Sequence, residues 1–596
     1  MVRQQQANGT VVTYSFDALN RLRSRSYTVQ GATAATPAVQ IDYDTDSTGT
    51  AGYYAYGRMT RVITSSASIG MDQYDAMGRL ETYDTTLGGS TYATNLAFDF
   101  LGDPVWESLP DGRELDMSPD QEGRAYWMGD DSSGLAFTHY RNYSPAGGLT
   151  EEKVGNGLVE DVNYNSRLQP TEITVKDPNN SSDNTWRMDL AVGYTQAGIQ
   201  TADNGNVVAL TDKLGNSGQN YTMTYDQLNR LADWSTGGGT NCQFAIDRYG
   251  NLNLSGGSGC GMLGGVNFNG NNQIVGYGYD ASGLLLSDTS GSSYTWDGNN
   301  QLVSFAAPGA GGSYVYDGLL RRVERVSDST TTLYVRDALG HVVASLTGGV
   351  WTDYVWASPA GAGDRSPAEP GDTGVRIAAA VGSGVGNLQF FHADQVGSTR
   401  VVTDQNGANV ATCGQNAQYP NGSFLTYGPF GMPQGCMQAA TSVLFTGHEL
   451  DSESGLDQFQ YRKYVPLQGR WATPDPAAIG GTDPPSPYSF GLGDTTLAVE
   501  PESPTDSLNT LPGFGLPLGG VDYFNPQTWD PYGYVASSPA TLFDPDGRMS
   551  RCGWARLGTT VLRVAGLASE FCPICFAAGV IGWYLGGVVE VACFNK

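Results

Sequence analysis

Hydrophobic and polar positions alternate in short runs along most of the chain, and the runs stop at a recurring polar punctuation. Tyr14-Ser-Phe-Asp17-Ala-Leu-Asn20-Arg-Leu22 shows the unit: an aromatic-x-aromatic stretch, an Asp, a Gly or Asn three residues later, then Arg-Leu or Gln-Leu. The order recurs at Tyr74-Asp75-Ala-Met-Gly78-Arg-Leu80 and Tyr225-Asp226-Gln-Leu-Asn229-Arg-Leu231. Further copies at Asp280, Asp297, Asp317 and Asp337 stand about 17 to 20 positions apart. Alternating aromatic and β-branched residues suit a pleated, half-buried strand. Asp bonds nearby backbone N–H groups, and Gly or Asn tolerates positive φ, so Asp-x-x-Gly and Asp-x-x-Asn are turns. The Arg-Leu or Gln-Leu pair then opens the returning strand with one side chain out and one in. Each unit predicts one β-hairpin. One hairpin cannot bury its own face but stacked hairpins can, so the train predicts an all-β spiral of stacked hairpins.

Composition agrees and sets limits. The 596 residues include 80 Gly and 33 Tyr with 15% charged residues, without a long amphipathic heptad pattern, which fits an all-β shell full of tight turns. An aromatic content of 11% excludes a solvated random chain. A net charge of −28 argues against nucleic acid as a partner of the shell, since phosphate binding draws on clustered Lys and Arg. Residues 548–596 reverse the sign, with Arg548, Arg551, Arg556, Arg563 and Lys596 against Glu570 and Glu590. Within this tail the stretch between the two glutamates is uncharged and apolar. It stands at the lower length limit for a membrane-spanning helix, and a buried hairpin is the other reading.

The cysteines divide by position. Cys242 with Cys260, and Cys413 with Cys436, lie in Gly/Asn-rich stretches where either pair could close a disulfide in an oxidising compartment. Cys552, Cys572, Cys575 and Cys593 sit in the tail, where Cys572-Pro-Ile-Cys575 has the spacing of zinc and redox motifs. The tail has no His, so an apolar cysteine cluster is the default; no metal and no cofactor are expected. The polar start, Met1-Val-Arg-Gln-Gln-Gln, lacks a secretory signal pattern, and an N-terminally incomplete shell is expected.

The repeats resemble the YD repeats of the Rhs, Tc-toxin C-component and teneurin families. The later part is more specific. Phe391-His-Ala-Asp394-Gln-Val-Gly397-Ser-Thr-Arg400 is similar to the H-x-D-x-x-G-S-x-R block, and Tyr427-Gly-Pro-Phe-Gly431 to Y-D-P-F-G. Phe445-Thr-Gly-His-Glu449 and Tyr461-Arg-Lys-Tyr464 through Gly469-Arg470-Trp471 to Asp475-Pro476 resemble the opening signature of the Rhs repeat-associated core. Asn525-Pro-Gln-Thr-Trp529 and Phe543-Asp544-Pro-Asp-Gly547 resemble its closing signature. The expected division is a repeat shell over 1–385, the core domain over 386–547 with a Pro/Gly-rich insertion at 484–520, and a variable hydrophobic tail over 548–596.

The resemblance implies that the shell cuts its own chain at the closing Asp-Pro-x-Gly. Two neighbouring carboxylates could then act as an aspartic pair, one as base on a water and the other polarising the scissile carbonyl. The catalytic candidates are Asp544, with Asp483 as second carboxylate and Arg470 as supporting group; Asp522 and Asp530 are rivals of Asp483. Arg548-Met549 stands where the family has Leu after the motif, so a plain Asp-capped turn is the competing reading of Asp544. His392 and His448 belong to the family blocks but have no Ser or Cys nucleophile at a recognisable spacing.

Two functions follow. In the first, the chain is the shell of a bacterial Rhs-type polymorphic toxin, secreted or displayed at the cell surface, that encapsulates its own C-terminal tail as cargo and meets delivery or immunity proteins. In the second, it is a cell-surface structural or adhesion protein touching carbohydrate or membrane, with a hydrophobic anchor and no proteolysis. Enzymatic activity is confined to the autoprotease of the first reading.

Overall fold

The computed structural model describes residues 2–475 apart from 32, 46–53, 72, 131–132, 146, 180–185, 196–202, 215–219, 358–374, 383–386, 411–424 and 435–440. It also describes 531–541, Asp544, and the strands Trp583–Leu585 and Val588–Glu590. The insertion 484–520, Asp483, Asp522, Asp530, Cys413, Cys436 and all four tail cysteines lie outside the described residues.

Within each sheet the strands pair antiparallel with their neighbours in sequence, so each large sheet is a meander. The first sheet holds 21 strands, from Val2–Gln5 to Leu252–Ser258. The second holds 12, from Gly278–Tyr279 to Thr399–Asp404. A four-stranded sheet runs from Glu449–Asp451 to Arg470–Trp471. Among the described residues there is no α-helix.

The turns explain the repeat. Asp17 accepts the N–H groups of Leu19 and Arg21 on Oδ1, both at 2.9 Å, and the Arg21 Nε–H on Oδ2 at 2.7 Å. Asp75, Asp120 and Asp226 repeat this triple grip with Arg79, Arg124 and Arg230. The residue three after the Asp takes positive φ: 62° at Asn20, 85° at Gly78 and 61° at Asn229. Burial alone would raise the Asp17 and Asp75 carboxyls, but their N–H donors and arginine outweigh it and leave both below the ordinary value. These turns therefore contribute stability above the usual carboxylate range that is lost as pH falls through the depressed value.

At Leu168 the pattern is broken. This residue holds φ 61° in the turn where Asn165 Oδ1 accepts the N–H groups of Arg167 and Gln169. Left-handed backbone costs a Cβ-bearing residue about 1–2 kcal/mol, and Asn less. Leu168→Asn is expected to stabilise the chain by about 1 kcal/mol, read as an upward shift of the thermal transition; an unchanged or lower transition contradicts it.

Successive repeats are tied by an aromatic residue at the end of a strand, just before the turn. Its polar tip reaches back to the first strand residue after the preceding turn: Tyr43 Oη donates to the Leu22 carbonyl at 3.1 Å, Tyr316 Oη to Leu302 at 3.0 Å, and Trp356 Nε1 to Val342 at 2.9 Å. Tyr74, Tyr143 and Tyr427 do the same to Met59, Ala125 and Thr399. The turn arginine lies over the ring of the following repeat, Arg21 over Tyr43 at 4.4 Å and Arg124 over Tyr143 at 4.3 Å.

The two large sheets meet across a shared core. Trp234, Phe244 and Leu231 of the first pack in one cluster with Val343, Phe390 and Val401 of the second. Gly318 shows how closely they approach, since a Cβ there would lie 2.4 Å from Val62 and 2.8 Å from Val39. Polar links cross the same seam: Arg113, buried at the tip of a first-sheet turn, donates to Asp130 at 3.1 Å and to Asp353 of the second sheet at 2.8 Å. Cys242 and Cys260 are joined by a disulfide with Cα atoms 5.7 Å apart.

Candidate functional site at the closing segment

The closing segment is positioned by the short sheet. Tyr532 and Pro531 accept the N–H groups of Trp471 and Asp475, each at 2.9 Å. Tyr532 Oη donates to the Gly283 carbonyl at 2.8 Å, which fixes the segment to the 12-stranded sheet. Further on, Gln395 Nε2 donates to the Ala540 carbonyl at 3.1 Å and Val207 N–H to Thr541 Oγ1 at 3.2 Å. Beneath it lies an aromatic box of Phe445, Phe459, Tyr464, Trp471 and Tyr534, all buried. Phe459 meets the edge of Trp471 with ring centres 4.8 Å apart, and Tyr464 and Tyr534 lie at 4.3 Å.

Asp544 sits at the end of this arrangement, 1% exposed. Its Oδ2 accepts from Arg462 Nη2 at 3.1 Å, and the same nitrogen lies 3.1 Å from Asp475 Oδ2. The Arg462 guanidinium rests on the face of Trp471 at 4.1 Å and is itself buried. Two carboxylates thus share one buried cation. Burial, then the nearby Asp544 charge, pushes the Tyr534 hydroxyl pKa well up, so this phenol stays protonated across the ordinary pH range.

The structure brings together only part of the expected set. Asp544 lies beside Arg462 and the short sheet, whereas Asp483 lies outside the described residues. Arg470 supports the site from a distance: Nη2 donates to the Asn272 carbonyl at 2.7 Å, and its guanidinium lies 4.9 Å from both the Phe268 and Tyr532 rings. It therefore steadies Tyr532, while Arg462 is the guanidinium bonded to Asp544. Arg462 and Asp475 were not among the expected site residues; their signal in the sequence is membership of the Tyr461-Arg-Lys-Tyr464 and Asp475-Pro476 motifs. The arginine between the two carboxylates makes this a different arrangement from two carboxyl groups that meet directly. Such a carboxylate can serve as a base on water, with the guanidinium stabilising developing negative charge.

His392 bonds Glu160 Oε2 at 2.9 Å and Thr403 Oγ1 at 3.0 Å, tying the two large sheets. His448 stacks on Phe459 with ring centres 3.7 Å apart. Among the described residues there is no cluster of three His, Cys, Asp or Glu suited to a metal ion, and no helix long and apolar enough to cross a membrane.

The opposite face of the short sheet is clamped by charge. Arg322 pairs with Asp451 at 2.7 Å and Glu449 at 2.8 Å, and Arg325 with Glu453 at 2.6 Å. Lys463, also buried, lies 3.8 Å from Asp451 and 5.1 and 5.9 Å from the Tyr314 and Tyr316 rings. Burial, then Arg322, pull the Lys463 amine down to about 7 against the attraction of Asp451, Glu449 and Glu453. The unfolded chain, with its lysine near 10.5, binds the extra proton between about pH 7 and 10.5, so this group makes the fold more stable as pH rises through that window. Lys463→Met is expected to flatten that part of the Tm-against-pH curve relative to the parent; parallel curves contradict it.

No family model matches the chain. Over 118 residues, 20% of this chain, it is 32% identical to the toxin protein Tse5 of Pseudomonas aeruginosa, of which the match covers 8%. Over 358 residues, 55% of this chain, it is 23% identical to the tRNA3(Ser)-specific nuclease WapA of Bacillus spizizenii, of which 14% is covered. Among solved structures, the crystal structure of TcdB2-TccC3 without its hypervariable C-terminal region superposes over 92% of this chain at 15% identity and TM-score 0.65. The Tc holotoxin pore of Photorhabdus luminescens superposes over 92% at 16% identity and TM-score 0.66. This chain spans about a quarter of each of those structures' chains, 27% and 26%. In sequence over the matched stretches, and in its all-β fold over most of its length, the chain is similar to Rhs- and Tc-toxin-type shell proteins.

Proposed function

We propose that this chain is the β-shell of a delivered bacterial toxin, that it holds residues 548–596 as cargo, and that it frees them by cutting its own backbone near Asp544–Gly547. The carrying observation is the placement of Asp544, buried where the chain leaves the core and tied with Asp475 to one guanidinium. In this reading Asp544 is the base on the attacking water. Asp475 or Asp483 is the second carboxylate, Arg462 stabilises the oxyanion, and Arg470 is a positioning residue. The Tse5 match and the fold shared with TccC3, whose C-terminal region is hypervariable, support a shell followed by a changeable tail. Secretion or delivery to a cell surface belongs to the same reading, with delivery and immunity proteins as further partners.

Intact mass under denaturing conditions tests it. The parent is expected to give a separate C-terminal fragment starting near Arg548, and Asp544→Asn one uncut mass. An uncut mass in both makes Asp544 the anchor of a structural turn and favours a surface protein without proteolysis.

A further inference from the structure

We propose that the seam between the two large sheets is a proton-operated latch: carboxyl groups that face one another across it let the sheets dock while one member of each pair keeps its proton, and loosen them once both are charged. Two such pairs lie close together. Glu107, on the strand Pro104–Ser108, faces Asp337, in the turn that follows Thr330–Arg336. Asp111, in the turn after Pro104–Ser108, stands beside Asp353 of the strand Val350–Ala357.

The surroundings of the first pair are apolar. Glu107 is 5% exposed, and its Oε1 is buried without a hydrogen-bond partner. On its own sheet it lies opposite Leu96 and Leu115, and Ala338 and Leu339 of the second sheet pack into the same cluster as Leu96. Thr94 Oγ1 donates to the Arg336 carbonyl at 3.0 Å, which sets the turn of Asp337 on this spot. Asp337 meets His341 through its N–H at 2.8 Å and Nδ1 at 3.0 Å. Among the described residues Asp337 is the one charge that acts on Glu107. At the second pair, Asp353 is fully buried; its Oδ2 accepts from Arg113 Nε at 2.8 Å, and its Oδ1 has no partner. Arg113 Nη1 also bonds Asp130 at 3.1 Å, and Asp111 Oδ1 accepts the Arg113 N–H at 3.0 Å. One guanidinium therefore serves two buried carboxyl groups, with a third beside them.

Two carboxyl groups that face one another in a dry seam cannot both ionise without cost. Burial, then the Asp337 charge, raise the Glu107 carboxyl well above its ordinary value. Burial, against the bond from Arg113, and then the Asp111 charge push the Asp353 carboxyl up to about 7. The turn aspartates show the same effect of docking. Burial raises Asp317, whose turn is packed on Val39 and Val62 of the first sheet, whereas at Asp17 and Asp75 burial is outweighed by N–H donors and arginine. Docked sheets thus keep protons that separated sheets would release, so docking weakens as pH rises from the ordinary carboxylate range through the raised values.

Hydrogen exchange of the full chain, corrected for the intrinsic pH dependence of the exchange reaction, tests the latch at the strands Ser90–Phe98 and Thr330–Arg336. The parent is expected to lose protection there by about tenfold or more between about pH 5 and about pH 8. The double variant Glu107→Gln with Asp353→Asn, isosteric with the protonated acids, is expected to keep it within about twofold over the same range. Glu122→Gln, at an exposed carboxylate, should follow the parent. Circular dichroism melts establish that each variant is folded, and either single variant suffices if the double one is not. Protection that does not change with pH in the parent, or that falls equally in the folded variants, overturns the proposal. So does a loss spread evenly over the whole chain, the mark of general repulsion at a net charge of −28.

Discussion

Arg462→Leu is expected to cost about 3–5 kcal/mol, because removing one partner of a buried ion pair takes from the other charge the cation that faces it. Here the effect is doubled in kind, since Asp475 and Asp544 both lie 3.1 Å from the same nitrogen and both are shielded from water. Arg462→Lys should fall between, keeping the charge while losing the planar fork and the stacking on Trp471. The loss should be local. The segment 531–544 is joined to the short sheet by a few backbone bonds, those of Trp471 and Asp475 among them, so it should detach while the hairpin repeats persist. Limited proteolysis and hydrogen exchange would locate the opening at 531–544. Unchanged protection there would show that the aromatic box, and not the guanidinium, holds the closing segment.

The second large effect is expected on the other face of the same sheet. Arg322→Met removes the cation that bonds Asp451 through both carboxyl oxygens, at 2.7 and 2.8 Å, and Glu449 at 2.8 Å. Asp451 is fully buried, so about 3–5 kcal/mol is again the expected scale. Arg325 and Lys463 remain beside it at 3.7 and 3.8 Å and should keep the loss toward the lower end. Urea denaturation followed by the fluorescence of Trp471, with the other tryptophans replaced, would report release of the short sheet from the large one. A coincident midpoint in parent and variant would mean that packing of Leu456 and Val465 into the Tyr294 and Trp296 cluster carries the attachment.

The hairpin repeats were legible because each one spells its own turn: Asp17, Asn20 and Arg21 meet within five residues, so local spacing is the geometry. The link between repeats was not. Tyr316 reads as a half-buried strand residue, and its bond to the Leu302 carbonyl depends on which backbone atom the previous turn presents, which no residue type encodes. The closing site was half legible. Asp544 stands in the Asp-Pro-x-Gly motif, but Arg462 and Lys463 are two adjacent cations whose partners nothing nearby in the sequence marks. Period-2 alternation sends them to opposite faces of a sheet that is covered on both, so Arg462 meets Asp544, 82 positions on, and Lys463 faces the clamp. Long-range partners of buried charges leave no local pattern.

The back-reaching aromatic residues have a consequence for how the protein is made. Each turn closes on itself within a few residues, and each aromatic tip reaches a carbonyl already laid down upstream, 21 positions earlier for Tyr43 and 14 for Tyr316. A ribosome releasing the chain from its N-terminus therefore supplies every coil with its anchor before the coil appears. Growth by winding onto a finished edge, as in a basket whose wall is woven upward, is what this direction of reach permits, and the residues beyond Asp544 emerge after the coils that precede them.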